Sequence, residues 1–169
     1  MIGERFSGGI INDRLRKLNK ERMELLVDYH SLSSHHDLGK RFPINILVAD
    51  DQEINQRVLV SQLRKIGYEA KVVNNGLEAV KAVGLDFFDI VFMDIEMPEM
   101  TGVEAVTEML SWNDKRKQPY IIAYTTRCGV EEVKLYKSIG FQLVLSKPAS
   151  IHDVIDVVLN AIKSILVEA

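Results

Sequence analysis

The sequence predicts an α/β fold: a doubly wound, five-stranded parallel sheet with an N-terminal helical extension. Two observations carry this reading. Between residues 44 and 167, short apolar runs alternate with helical patterns five times, and strands joined by helical crossovers run parallel with right-handed connections. The runs are also unbroken, as in Ile44 to Ala49, which marks strands covered on both faces. Residues 1–42 read separately, as a helical extension and linker, leaving 43–169 as the α/β domain.

The elements follow in order. Strand 1 is Ile44 to Ala49. Helix 1 carries Ile54, Val58, Leu59, Leu63 and Ile66 at helical spacing and stops before Gly67. Ala70 to Val73 is a short second strand. Asn75-Gly76 turns into a helix through Leu77, Val80 and Val83, and Asp89 to Met93 is strand 3. Val103 to Leu110 makes the next helix and Ile121 to Tyr124 strand 4. Val133, Tyr136 and Ile139 mark a helix ended by Gly140, and Leu143 to Leu145 is strand 5. Ile151, Val154, Ile155, Val158, Leu159, Ile162, Ile165 and Leu166 form one apolar stripe on the last helix.

Bulk properties narrow the function classes. A net charge of −3 gives no electrostatic reason to expect nucleic acid, which usually needs a basic stripe. One cysteine, Cys128, excludes an intramolecular disulfide and fits a reducing cytosol. The N-terminus lacks the apolar core of a signal peptide, and no stretch approaches a membrane span. The expectation is a cytoplasmic protein that binds neither membrane nor nucleic acid.

The chemistry gathers at the strand ends. Asp50 and Asp51 follow strand 1, Asp94 follows strand 3, Thr125 follows strand 4, and Lys147 follows strand 5. In a parallel sheet these C-terminal ends share one edge, where open α/β sheets place ligands. Two carboxylates near 4 Å repel by roughly 4 kcal/mol at an effective dielectric of 20. Three therefore need a cation, or one takes up a proton. An all-oxygen ligand set of low count favours Mg²⁺, which keeps waters and leaves a place for a phosphate oxygen. Lys147 suits a phosphoryl group as a mobile point charge, Thr125 offers a hydroxyl, and an aspartate is a competent nucleophile toward phosphorus.

The pieces that carry this pattern are Leu47-Val48-Ala49-Asp50-Asp51-Gln52-Glu53-Ile54-Asn55, Asn75-Gly76-Leu77-Glu78-Ala79, Met93-Asp94-Ile95-Glu96-Met97-Pro98, Ala123-Tyr124-Thr125 and Ser146-Lys147-Pro148. With 43 positions from Asp51 to Asp94, 31 more to Thr125 and 22 more to Lys147, residues 44–167 resemble the receiver domain of two-component response regulators, including receivers attached to hybrid histidine kinases. The resemblance covers about three-quarters of the chain and implies a flavodoxin-like fold. It implies that Asp94 accepts a phosphoryl group from phosphohistidine on a histidine kinase or a histidine phosphotransfer protein. It also implies that Asp50, Asp51, the Asp94 carboxylate and the Glu96 backbone carbonyl hold Mg²⁺. Thr125 would bind a phosphoryl oxygen and move on phosphorylation, while Lys147 would pair with the carboxylate and then the phosphate. The Lys147–Pro148 bond is typically cis in that family.

Two positions depart from the family pattern, and a charged pair stands beside the site. Val144 stands where an aromatic residue is frequent, which argues against a readout through an aromatic rotamer swing. Thr126 stands where a small residue is common and adds bulk at the mouth. Glu96 and Arg127 carry opposite charges two positions past site residues, and their pairing would make a lid that slows hydrolysis. Two solvated charges are the alternative.

Three functional classes compete on the residues: a phosphorylatable switch in a phosphorelay, a Mg²⁺-dependent aspartyl-phosphate hydrolase, and a pseudo-receiver used only for binding. The related hydrolases place a second aspartate two residues past the nucleophile, where this chain has Glu96. As a receiver the chain would be no enzyme beyond its own phosphorylation and dephosphorylation. It stops two residues after Val167, so the expectation is no output domain and signalling through protein contacts.

In the extension, Ile11, Leu15, Leu18, Leu25, Leu26 and Tyr29 fall on one helical side, but Arg14, Glu21 and Asp28 leave the heptad incomplete. That stripe would pack on the receiver or on a partner, a homodimer included. A polar linker runs from Ser31 to Arg41, and His30, His35 and His36 read as loop residues.

Overall fold

The structure, a computed structural model, describes Lys20, residues 37–112 and residues 118–168. Among these the order is α1 (Leu38–Arg41), β1 (Ile46–Ala49), α2 (Glu53–Lys65), β2 (Ala70–Val73), α3 (Gly76–Leu85), β3 (Ile90–Met93), α4 (Gly102–Leu110), β4 (Tyr120–Thr125), α5 (Val130–Ile139), β5 (Leu143–Ser146) and α6 (Ile151–Glu168). The extension stripe from Ile11 to Tyr29 and the three histidines lie outside the described residues.

All five strands pair in parallel in the order β2-β1-β3-β4-β5, which is the doubly wound sheet expected from the sequence. The chain leaves β1 toward β2 and then reverses to build β3, β4 and β5. The reversal opens a crevice beyond the C-terminal ends of β1 and β3. Alternate strand residues feed two cores. Ile46, Val48, Ile90, Phe92, Ile122, Tyr124 and Leu145 pack against α2 and α6, and Leu47, Ala49, Val91, Met93, Ile121 and Ala123 against α3, α4 and α5.

Caps set the helix starts. Asn75 accepts from the Glu78 amide at 2.8 Å at the head of α3. Thr101 and Glu104 form a reciprocal capping box on α4, satisfying two otherwise orphaned donors. Gly140 ends α5 at φ +125°, a conformation that side chains oppose. Gly102 is demanded by proximity, since a Cβ there would stand 2.0 Å from the Asp94 carbonyl oxygen.

Two local expectations changed. Ile44 and Asn45 precede β1: the Asn45 amide donates to the Asp89 carboxylate at 2.7 Å instead of entering the ladder. Ile54 and Val58, read as part of the inward stripe of α2, are exposed, Ile54 at 65%. The helix starts at the edge where the sheet beneath it ends, so its first turns have little core to meet.

The last part of the stretch read as polar linker is folded. Leu38 and Phe42 are buried in the first core with Ile66 and Tyr68. The Gly39 amide donates to the Ile66 carbonyl at 3.0 Å, and the Tyr68 hydroxyl donates to the Phe42 carbonyl at 2.9 Å. Two apolar side chains spaced by four residues sufficed to dock a single helical turn.

Candidate functional site

Strand register builds the site. Ala49 pairs with Met93, so Asp50 and Asp94 leave adjacent strands at the same level. The Asp94 amide donates to the Ala49 carbonyl at 2.9 Å. Thr125 pairs with Ser146, and the amide of Lys147, the next residue, donates to the Thr125 carbonyl at 2.9 Å. One edge thus collects Asp50, Asp51, Asp94, Thr125 and Lys147, of which Asp94, Thr125 and Lys147 line a cleft of about 260 Å³ with Glu96, Thr126 and Pro148.

Asp50, Asp51 and Asp94 each bring a carboxylate oxygen within 4.8 Å of the others. Asp50 and Asp94 are buried and Asp51 is exposed. Oδ1 of Asp50 accepts from the Gln52 amide at 2.9 Å and from Asn55 Nδ2 at 3.3 Å. Its Oδ2 receives no hydrogen bond of its own and faces the Lys147 ammonium as an ion pair at 2.6 Å. A buried carboxylate oxygen answered only by one ammonium is suited to a hard cation.

Asp94 is similarly divided. Its Oδ1 accepts from the Ile95 amide at 2.7 Å, and its Oδ2 lies 2.9 Å from Lys147 Nζ. Burial pushes its pKa above the usual carboxylate value, and the negative charge of Asp50 adds to that; the Lys147 hydrogen bond and charge and the Ile95 amide pull the other way. The acid is therefore poorly compensated by its own surroundings, which further favours a cation in the cleft.

Thr125 is buried, and its hydroxyl accepts from the Arg127 amide at 3.2 Å. Thr126 is exposed on the cleft wall, and Val144 packs half-buried on the second core. Glu96 and Arg127 do meet, at 3.2 Å, with both side chains more than 60% exposed. The Lys147–Pro148 peptide is cis.

Several residues that the sequence reading left without a role support the site. Gln52, Asn55 and Gln56 stand at i, i+3 and i+4, one face of a helical turn. Gln56 Nε2 donates to the Asp50 carbonyl at 2.6 Å and to Asn74 Oδ1 at 3.0 Å. That amide-rich spacing directly after two acids was the available signal. On the far side of Lys147, Gln62 Nε2 donates to the Ala149 carbonyl at 2.6 Å, and Tyr124 places its ring under the ammonium, 5.0 Å from Nζ to centroid.

A family model described as Response regulator receiver domain matches residues 46–159. The chain is 32% identical over 151 residues to the sensor protein GacS of Pseudomonas syringae pv. syringae, which covers 86% of this chain and 16% of that protein. It spans between 6% and 36% of the length of the first curated relatives it matches. Among solved structures it is similar to the receiver domain of a sensor histidine kinase from Pseudomonas aeruginosa PAO1, solved with a magnesium ion coordinated in the active-site cleft. That match has TM-score 0.64 and 25% identity and covers 70% of this chain and 97% of the other. It is also similar to the receiver domain of a Saccharomyces cerevisiae response regulator, co-crystallised with a histidine phosphotransfer signaling protein. There the TM-score is 0.60 and the identity 28%, over 64% of this chain and 81% of the other.

Proposed function

The chain belongs to the response regulator receiver family, and from that premise we propose that Asp94 is its phosphoacceptor in a phosphorelay. The observation that carries the reading is the cluster itself: three carboxylates within 4.8 Å, with a buried lysine paired to two of them. An Asp94 carboxylate oxygen attacks phosphorus, and the bond from phosphorus to the donor nitrogen breaks. The imidazole leaves with the electron pair. Lys147 balances charge on the acceptor side, and the Thr125 hydroxyl donates to a phosphoryl oxygen.

Asp50, Asp51, the Asp94 carboxylate and the Glu96 backbone carbonyl are the groups that would hold Mg²⁺. The ion supplies charge neutralisation for the phosphoryl oxygens. The Asp50 Oδ2, answered only by the Lys147 ammonium, and the raised pKa of Asp94 fit that group. The magnesium-bound relative supports the assignment by analogy of site.

The donor is a phosphohistidine on a kinase or a phosphotransfer protein, as the co-crystallised relative suggests. Ile54, Val58 and Pro148 are exposed, Val58 and Pro148 on the cleft wall itself and Ile54 one helical turn before Val58, and they offer such a partner an apolar border. The test is mass spectrometry after incubation with acetyl phosphate and Mg²⁺. A phosphoryl adduct that is absent in Asp94→Asn supports the reading. Rapid turnover without an adduct would move it to a hydrolase, and no adduct from acetyl phosphate or from a phosphohistidine donor would leave a binding module.

A further inference from the structure

We propose that Tyr124 is a positioning residue for Lys147, its ring fixing where the ammonium stands between Asp50 and Asp94. The inference rests on the phosphoacceptor reading above and adds to it a residue from outside the acid cluster.

Tyr124 belongs to two places at once. Its side chain is 2% exposed and packs in the first core with Ile122, Leu59 and Val154, yet it also lines the cleft beside Asp94 and Thr125. The Lys147 ammonium lies 5.0 Å from its ring centroid, inside the range where a ring face attracts a cation. The same nitrogen lies 2.6 Å from Asp50 and 2.9 Å from Asp94. The charge is therefore held from three sides, two anionic and one aromatic.

A lysine needs such a third contact. Its four-carbon stem carries a compact charge through many rotamers, and two carboxylates side by side define a line of acceptable positions. The ring closes that freedom from below. The backbone supports the same placement, because Tyr124 pairs with Leu145 and Thr125 with Ser146, which brings residue 147 out beside the ring.

The segment after Lys147 is tied to α2. The Ala149 carbonyl accepts from Gln62 at 2.6 Å. Burial pushes the Tyr124 pKa up, Asp50 and Asp94 push it further, and the Ala149 amide pulls it back. The phenol therefore stays neutral beside the acids. It cannot compete with them for the ammonium as a phenolate would.

The experiment compares wild type, Tyr124→Phe and Tyr124→Leu in the full chain. Initial rates of phosphorylation by acetyl phosphate with Mg²⁺ are followed by intact mass. The Lys147 side-chain methylenes are followed by NMR with ¹³C-labelled lysine, assigned through Lys147→Arg. Tyr124→Leu is expected to slow phosphorylation by about three- to tenfold, and Tyr124→Phe, which keeps the ring, to retain the wild-type rate. The Lys147 ε-methylene should resonate upfield in wild type and Tyr124→Phe from the ring current, and return to the ordinary lysine position in Tyr124→Leu. A folded Tyr124→Leu protein with the wild-type rate would overturn the proposal. So would an unshifted Lys147 signal in the wild type, a measurement that stands even if the leucine variant does not fold. Absence of any wild-type adduct, with the upfield signal present, would sink the phosphoacceptor reading and leave the Tyr124–Lys147 contact established.

Discussion

Lys147 pairs with Asp50 at 2.6 Å, a shorter contact than the 2.9 Å it makes with Asp94. The lysine therefore serves the acid pair as a whole. Among the described residues, its ammonium is the side-chain cation that pairs with both buried carboxylates.

Lys147→Met keeps the stem and removes that charge, leaving two buried acids facing each other. Breaking a buried pair from one side costs about 3–5 kcal/mol. Urea denaturation in chelator should show a loss of that order, and Mg²⁺ should restore more stability to the variant than to wild type. An unchanged midpoint in chelator would mean that the acids had already shared a proton.

Ile54 stands at the head of α2, one turn before the cleft residue Val58, and is exposed. Ile54→Glu should leave phosphorylation by acetyl phosphate unchanged and slow transfer from a phosphohistidine protein. Equal slowing with both donors would place Ile54 in the chemistry and remove it from the docking border.

Glu96 and Arg127 meet across 3.2 Å in solvent. An exposed pair contributes about 0–1 kcal/mol to stability, so the double alanine variant should melt like wild type. If the pair screens the phosphoaspartate from in-line water, the phosphate lifetime shortens. A lifetime equal to that of wild type would reduce the pair to two solvated charges.

Two helix caps set part of the acid response. The Thr101 amide and hydroxyl hold Glu104 below its ordinary pKa, and the Ser150 hydroxyl and amide do the same for Asp153. Depressed values mean that the ionised forms favour the folded state. Their contribution is present above the ordinary carboxylate range and is lost as pH falls through the depressed values. Glu104→Gln with Asp153→Asn should therefore lower Tm at neutral pH, and the gap to wild type should close in acid. A gap that persists at the lowest pH would assign the effect to packing.

Leu38 lies ahead of the residues that match the family and is fully buried. Leu38→Ala should cost about 2–5 kcal/mol, read by chemical denaturation. A cost near zero would show that α1 is carried by the domain without supporting it.

Much of this molecule could be read from the chain because both codes involved are local. Unbroken apolar runs marked the buried strands, and glycine or amide caps marked the helix limits. Parallel connectivity then forced the strand-end acids, Thr125 and Lys147 to one edge. The rest depended on facts without a sequence period. Ile54 and Val58 continue the helical stripe, but the sheet beneath them ends. Leu38 and Phe42 sit among polar residues, and only the pocket offered by Ile66 and Tyr68 shows that they are core. Tyr124 reads as one more strand residue until the register puts Lys147 above its ring.

The docked turn at Leu38–Arg41 also fixes where the chain enters the domain. It sits against Ile66 and Gly67, at the foot of strands whose heads carry the acids. Four-residue strands reach about 13 Å from foot to head. The turn therefore stands about one strand length from the acid-bearing edge.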